Sequence, residues 1–275
     1  MTQTYRAYVL IFSISILWGT IPLIIKTTSI SSLGLVGVRT LIGSITLFLF
    51  IDKSKENLLK VLKHGLILGP LLAIHWATMF ESINLNSVAV GIGLVFTYPI
   101  FLILIKIFAG GLISRMQLFL VISGFFGVYL LLDINQISSY PGIAYGLLSA
   151  LTLALLIVYG EPLTKTLGGL NVAFSQVSIA ALCLAPFTVN NLDWVYENIF
   201  ISLFLGAVLT GLGLAIYWYC LKIITPLAVG TITYMEPFTG VLLGSILLGE
   251  SLSFSQYLGF ALVLSVGIIQ VLKVR

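Results

Sequence analysis

The sequence predicts an all-α membrane protein of ten transmembrane helices in two inverted five-helix repeats. Three observations lead there. Apolar residues make up 59% of the 275-residue chain and charged residues only 8%, against roughly 25% charged in an ordinary soluble domain. With a mean hydropathy of +1.16, the chain has too few charges to cover a water-facing surface. Apolar runs near the ~20 residues that span a bilayer as a helix recur almost without pause, and the two halves of the chain resemble each other at an offset that drifts by only a few residues.

In order, the apolar runs predict helices over 7–27, 33–51, 65–84, 87–108, 117–133, 141–161, 170–189, 198–221, 226–248 and 254–272. The cuts between them fall at SISS (29–32), NLNS (84–87), GGLISR (110–115), NQISSYPG (135–142) and GGLN (168–171), which carry the turn chemistry of Gly, Ser, Asn and Pro. The first run lacks a small-residue cleavage site and contains Trp18, Pro22 and Lys26, so it reads as a retained helix and not a signal peptide. Cys183 and Cys220 fall inside spans; two such thiols give no disulfide framework, and burial explains them. The polar connection 52–64, DKSKENLLKVLKH, reads either as a solvated loop or as a short amphipathic helix on the membrane surface.

Orientation follows from the basic residues. With the N-terminus inside, the cytoplasmic side holds Arg6, Lys53, Lys55, Lys60, Lys63, Lys106, Arg115, Lys165, Lys222, Lys273 and Arg275, and the outer side only Lys26. That asymmetry places both termini in the cytoplasm. The net charge of +4 reflects this belt and implies no nucleic-acid partner.

The internal offset is near 140 residues, about half the chain. VAVG (88–91) matches LAVG (227–230), FTYPIF (96–101) matches YMEPFT (234–239), and LWGTIPLIIKT (17–27) resembles IVYGEPLTKT (157–166). Gln117 faces Gln256 at the same shift. The repeats then run over 7–133 and 141–272. Five helices per repeat is an odd number, so the halves must insert with opposite topology, the plan of many secondary transporters.

WGTIPLIIKTTS followed by Arg39, the SVAVG and YP stretch, and LLGESLSFSQYLG (247–259) resemble the drug/metabolite transporter superfamily in its EamA-like branch. The resemblance covers nearly the whole chain, except that Gly111-Leu112 stands where the second repeat has Gly249-Glu250. It implies ten helices, inside termini, a central cavity and movement of small metabolites. The shared motifs identify the fold better than the substrate.

Candidate site residues are the polar and aromatic groups at membrane depth. Glu236 and Pro237 lie at the centre of 226–249, which has no other charge. A carboxylate is costly there and a proline removes a backbone donor. The pair reads as a kinked helix offering a carboxylate near the midplane; its repeat partner is Tyr98, before Pro99. The structural alternative is a protonated Glu236 bonded to a neighbour. His75, within AIHWATMFES, either relays protons or bonds a solute, or is a neutral histidine bonded to an adjacent helix. Trp18, Tyr217 and Tyr234 are candidates to stack on a ligand, as are Tyr159, Trp218 and Tyr219; packing or interface anchoring is the alternative for all. Arg39 reads as an inter-helix or headgroup contact, Lys26 as a snorkelling cation, and Glu81 and Glu250 as residues of outer helix ends.

The expected function is a secondary carrier of small organic metabolites, most readily an amino-acid exporter working by alternating access, in the plasma membrane. The bilayer and a small solute are its partners, with proton coupling open and the oligomeric state unreadable. No GxSxG, GxGxxG, Walker, zincin or paired-carboxylate arrangement supports the alternative of a membrane-embedded enzyme or lipid-processing protein without transport activity, and near-continuous apolar helices in inverted repeats favour a carrier over a channel; no cofactor or metal site is expected.

Overall fold

A backbone in hydrocarbon must satisfy its own N–H and C=O groups, which leaves helices as the natural solution for these apolar runs. The computed structural model describes residues 2–51, 58–86, 88–131, 139–248 and 253–272, and every regular element among them is helical. Lys53, Lys55, the 52–57 loop, Ser87, the 135–138 turn, Gly249-Glu250, Lys273 and Arg275 lie outside the described residues.

The helices are α1 Gln3–Trp18, α2 Ile21–Thr27, α3 Ser32–Phe50, α4 Leu58–Leu85, α5 Val88–Val95, α6 Tyr98–Phe108, α7 Arg115–Leu131 and α8 Tyr140–Leu167. They continue with α9 Gly169–Cys183, α10 Ala185–Val189, α11 Leu192–Glu197, α12 Ile199–Leu203, a π-helical segment Phe204–Leu212, and α13 Gly213–Ile223. The last three are α14 Pro226–Ile232, α15 Met235–Leu248 and α16 Phe254–Leu272. Among the described residues six stretches are long and apolar enough to cross a membrane: Gln3–Thr27, Ser32–Phe50, Leu58–Leu85, Val90–Phe108, Tyr140–Leu167 and Ile199–Ile223. Arg115–Gly127 and Gly169–Cys183 are shorter apolar helices.

Polarity is distributed for a lipid surround. Ile45, Leu49, Leu66, Ile67, Ile246 and Leu247 face outward, while Ser15, Thr40, Ser149, Thr164, Ser175 and Thr210 are buried. Several of these hydroxyls return to a carbonyl of their own helix, as Ser15 does to Ile11 O at 2.6 Å and Thr40 to Val36 O at 2.8 Å, so their burial leaves no open hydrogen bond.

Two differences from the expected elements matter. The helix expected from residue 65 begins at Leu58, so the second half of the polar 52–64 stretch extends α4. Cys220 is buried but Cys183, the last residue of α9, is exposed; it lies on an outward apolar face with Leu182.

The chain forms two compact units, each drawing on both halves of the sequence. The first comprises Met1–Thr27, Thr78–Ala154 and Ile224–Arg275; the second, Thr28–Ala77 and Leu155–Ile223. In the first, α7 packs on α16, α1 packs on α14 and α15, and α5 packs on α15. In the second, α3 packs on α9 and on the π segment, and α9 packs on α13.

Candidate functional site

Three spans of the first unit are interrupted, and in the same way. α1 ends at Trp18 and α2 starts at Ile21; α5 ends at Val95 and α6 starts at Tyr98; α14 ends at Ile232 and α15 starts at Met235. At each break a threonine hydroxyl donates to the carbonyl three residues back: Thr20 to Leu17 O at 2.7 Å, Thr97 to Leu94 O at 2.7 Å, and Thr233 to Gly230 O at 2.9 Å. The hydroxyls add to the bonding of carbonyls that have lost their regular helical donors; Leu17 O and Leu94 O also accept the backbone N–H of the same threonine, at 3.1 and 3.2 Å.

A proline follows each break within the first turn of the new helix: Pro22, Pro99 and Pro237. A first-turn residue needs no helical N–H, so proline is tolerated there and its fixed φ suits the start of a helix. The kink expected at Pro237 is therefore a full break. Its missing bond to Thr233 O is replaced by one from Glu236 N–H at 2.9 Å.

The breaks pack on one another. A Cβ on Gly19 would lie against the Thr239 side chain and 2.9 Å from Glu236 O, so only glycine lets the first break approach the third. Tyr98 Oη lies 2.8 Å from Thr233 Oγ1. The threonine proton is already given to Gly230 O, so the phenol donates and the threonine accepts. The Phe96 ring stands edge-on to Tyr98 at 6.0 Å and tilted on Tyr234 at 5.9 Å. Tyr234 lies over Gly124 of α7, with its hydroxyl 3.5 Å from Val121 O.

Glu236 occupies the first turn of α15, half-buried, where a carboxylate complements the N-terminal end of the helix dipole. It lies within electrostatic reach of the Tyr98 phenol. Trp18, half-buried, is the last residue of α1. The structure therefore places Trp18, Tyr98, Tyr234 and Glu236 at interruptions of one unit. In this conformation Tyr98 and Tyr234 are buried among helices, and Glu236 and Trp18 retain partial exposure.

His75 and Tyr217 belong to the second unit, both buried. His75 precedes Trp76, whose ring carries the Arg39 guanidinium 3.8 Å from its centroid. Arg39, 1% exposed, donates from Nε to Thr210 Oγ1 at 2.9 Å, the inter-helix contact expected of it. Tyr217 meets Trp218 edge-on at 5.6 Å. Tyr159 is exposed, and Trp218 is fully buried against Gly160. In the first unit, Lys26 Nζ donates to Asn86 O at 2.8 Å and Asn84 O at 3.4 Å, so this cation closes the C-terminal end of α4. Among the described residues no cluster of three His, Cys, Asp or Glu is arranged to hold a metal.

Sequence reasoning missed Thr20, Thr97 and Thr233. The signal was present: a threonine two to four residues before an intramembrane proline. It also missed Trp76 and Thr210, which no local pattern joins to Arg39.

Interrupted helices meeting within an apolar bundle, with a carboxylate at one of the breaks, define the class as a multi-pass membrane transporter. The EamA-like transporter family model matches the chain twice, over residues 5–133 and 140–272. The chain belongs to that family, and with it to the drug/metabolite transporter superfamily. An uncharacterized transporter of Archaeoglobus fulgidus is 21% identical over 258 residues, 91% of each chain. A crystal structure described only as that of a protein has a TM-score of 0.73 at 16% identity, covering 98% of this chain and 97% of the other; that likeness bears on the fold alone.

Proposed function

We propose that this protein is a secondary carrier that exports an amino acid or a related small metabolite by alternating access. It works in the plasma membrane with both termini cytoplasmic, as ten spans in two inverted repeats. The repeat reading is supported by the internal offset and by a family model that matches each half; the orientation is supported by the basic residues.

One observation carries the solute reading: Glu236 stands in the first turn of a half-helix, beside the backbone of another interrupted span. A carboxylate at that depth is expensive, about 2.5–3.5 kcal/mol on insertion scales for Asp at a helix centre. It suits the ammonium group of an amino acid, or a proton exchanged for it. The starts of α6 and α15 turn their positive dipole ends toward the same breaks, which favours the solute carboxylate. The Trp18 indole offers an apolar face, and Tyr98 and Tyr234 offer phenols. In the second unit, His75 and Tyr217 are candidates of their own for solute contact, His75 as a proton relay or hydrogen-bond partner.

The test is flux in proteoliposomes. Glu236→Gln keeps size and hydrogen bonding but removes the charge, so the protein should fold while transport of an ammonium-bearing solute falls at least tenfold, about 1.4 kcal/mol. Glu250→Gln should do much less. Normal flux in Glu236→Gln across pH 5–8 would remove Glu236 from the site.

A further inference from the structure

The π-helical segment Phe204–Leu212 sits inside an otherwise α-helical span, between α12 and α13. Such segments are energetically poor, and they persist where the surroundings hold them. Here the holding contact is identifiable. Thr40, Thr46, Thr152, Thr188 and Thr231 each return the hydroxyl to a carbonyl four residues back. Thr210 instead reaches Leu205 O, five residues back, at 2.7 Å. That bond spends its only proton and follows the π spacing. Its lone pair receives Arg39 Nε, whose guanidinium is stacked on Trp76.

The helices are close enough for this tie to act as a register pin. A Cβ on Gly43, one turn beyond Arg39, would lie 2.6 Å from Thr210 Cγ2 and 3.1 Å from Gly206 O. Small residues on both sides bring α3 and the π segment together, and Arg39 Nε meets the Thr210 hydroxyl at that height.

The consequence falls on α13. A π turn absorbs an extra residue; returning it to the α form rotates everything beyond it by about 100°, one residue of a 3.6-residue turn. Beyond it come Tyr217, Trp218 and Cys220, all buried. The present facing leaves polar side chains unmet: among the described residues the Trp218 indole nitrogen and both amide atoms of Gln176 are buried without a hydrogen-bond partner. Gln176 lies two turns from Gly169 on the face of α9 that abuts Trp218 and Tyr219. Something other than α9–α13 polar complementarity therefore sets the rotation of α13.

We infer that Arg39 is a positioning residue for transport: by holding Thr210 it keeps residues 204–212 in π register and so decides that Tyr217 occupies its present face. The link to transport rests on Tyr217 contacting the solute, as proposed above; the register does not.

Cys220, buried on α13, reports the register without assaying transport. In full-length Cys183→Ser protein in lipid nanodiscs, Cys220 should resist a small maleimide. Adding Arg39→Gln or Thr210→Val should raise its labelling rate at least tenfold, with Arg39→Lys intermediate, because lysine can donate to Thr210 but lacks the flat stack on Trp76. The solute KM should rise in the same order. Thr210→Val, nearly isosteric, keeps the test available if Arg39→Gln does not fold. Continued protection of Cys220 in folded Thr210→Val overturns the inference, whatever happens to flux. Labelling that rises while flux and KM stay unchanged keeps the register pin, overturns the positioning role in transport, and removes Tyr217 from the solute path.

Discussion

Tyr98→Phe and Thr233→Val remove opposite ends of one hydrogen bond, and the structure makes their costs unequal. Because Thr233 gives its proton to Gly230 O at 2.9 Å, the Tyr98 phenol is the donor in the 2.8 Å contact. Tyr98→Phe withdraws that donor and leaves the threonine bond to Gly230 intact. The loss is one interhelical hydrogen bond, about 0.6–1.5 kcal/mol in a membrane interior. Thr233→Val leaves a phenolic O–H with no acceptor at a residue that is 2% exposed. The penalty for an unmet buried donor, about 1–3 kcal/mol, then adds to the lost bond.

The double variant sharpens the test. With valine at 233, the phenol is a liability, so adding Tyr98→Phe should be neutral or stabilising, whereas in the native background it destabilises. That reversal of sign is a coupling that packing alone does not produce, since Phe keeps the ring and its edge contact with Phe96. The measurement is unfolding of the four proteins in mixed detergent–SDS micelles. If Thr233→Val costs no more than Tyr98→Phe, or if Tyr98→Phe further weakens Thr233→Val, the donor assignment and the role of Thr233 at the break are wrong.

Other outcomes can be measured directly. Gly19→Ala should destabilise by about 1–3 kcal/mol, because its methyl meets the Glu236 carbonyl, which cannot rotate away; wild-type stability in the same unfolding assay would mean that the first and third breaks do not touch. His75→Gln should flatten the pH dependence of flux while solute binding survives, and an unchanged profile would make His75 a packing residue. Cysteines at positions 55 and 275 should both be shielded from an impermeant thiol reagent in intact cells; labelling of either from outside would overturn the orientation and the inverted pairing.

Placement of the helices was legible because hydropathy and turn residues report where chain enters and leaves an apolar medium. The interruptions were not. A window-averaged hydropathy profile does not mark Trp18–Ile21, Val95–Tyr98 and Ile232–Met235, since each holds only one or two polar side chains and what alters most there is backbone geometry. Proline alone misleads as well: Pro70 and Pro162 lie inside continuous helices, whereas Pro22, Pro99 and Pro237 sit just after breaks. Glu236 stood out from sequence because an isolated charge in 226–249 needs no structure to be conspicuous. Arg39 was conspicuous too, but its partners Trp76 and Thr210 are distant in sequence, and only the fold brings them to it.

The repeat alignment pairs Gly19 and Pro22 with Gly160 and Pro162, and Tyr98-Pro99 with Glu236-Pro237. Three of these four positions are broken and one is not, and the difference has a physical cause. The three breaks each supply a threonine hydroxyl to a carbonyl that has lost its regular helical donor. The fourth, Tyr159-Gly160-Glu161, has no threonine ahead of its proline, and α8 runs through it with Glu161 and Lys165 paired one turn apart at 3.3 Å. Opening the helix there would give up helical carbonyl bonds in hydrocarbon with no hydroxyl nearby to replace them, which favours the unbroken form. A threonine accompanies each break of the first unit, although α9 and α10 part at Leu184, ahead of Pro186, with no threonine before that proline. The divergence at these positions, a phenol in one half and a carboxylate in the other, then gives a single acidic group among the breaks and not a symmetric pair. Two carboxylates at such close quarters would repel each other and hold one proton between them. One carboxylate can meet a single ammonium group, the stoichiometry that the amino-acid solute proposed above would require.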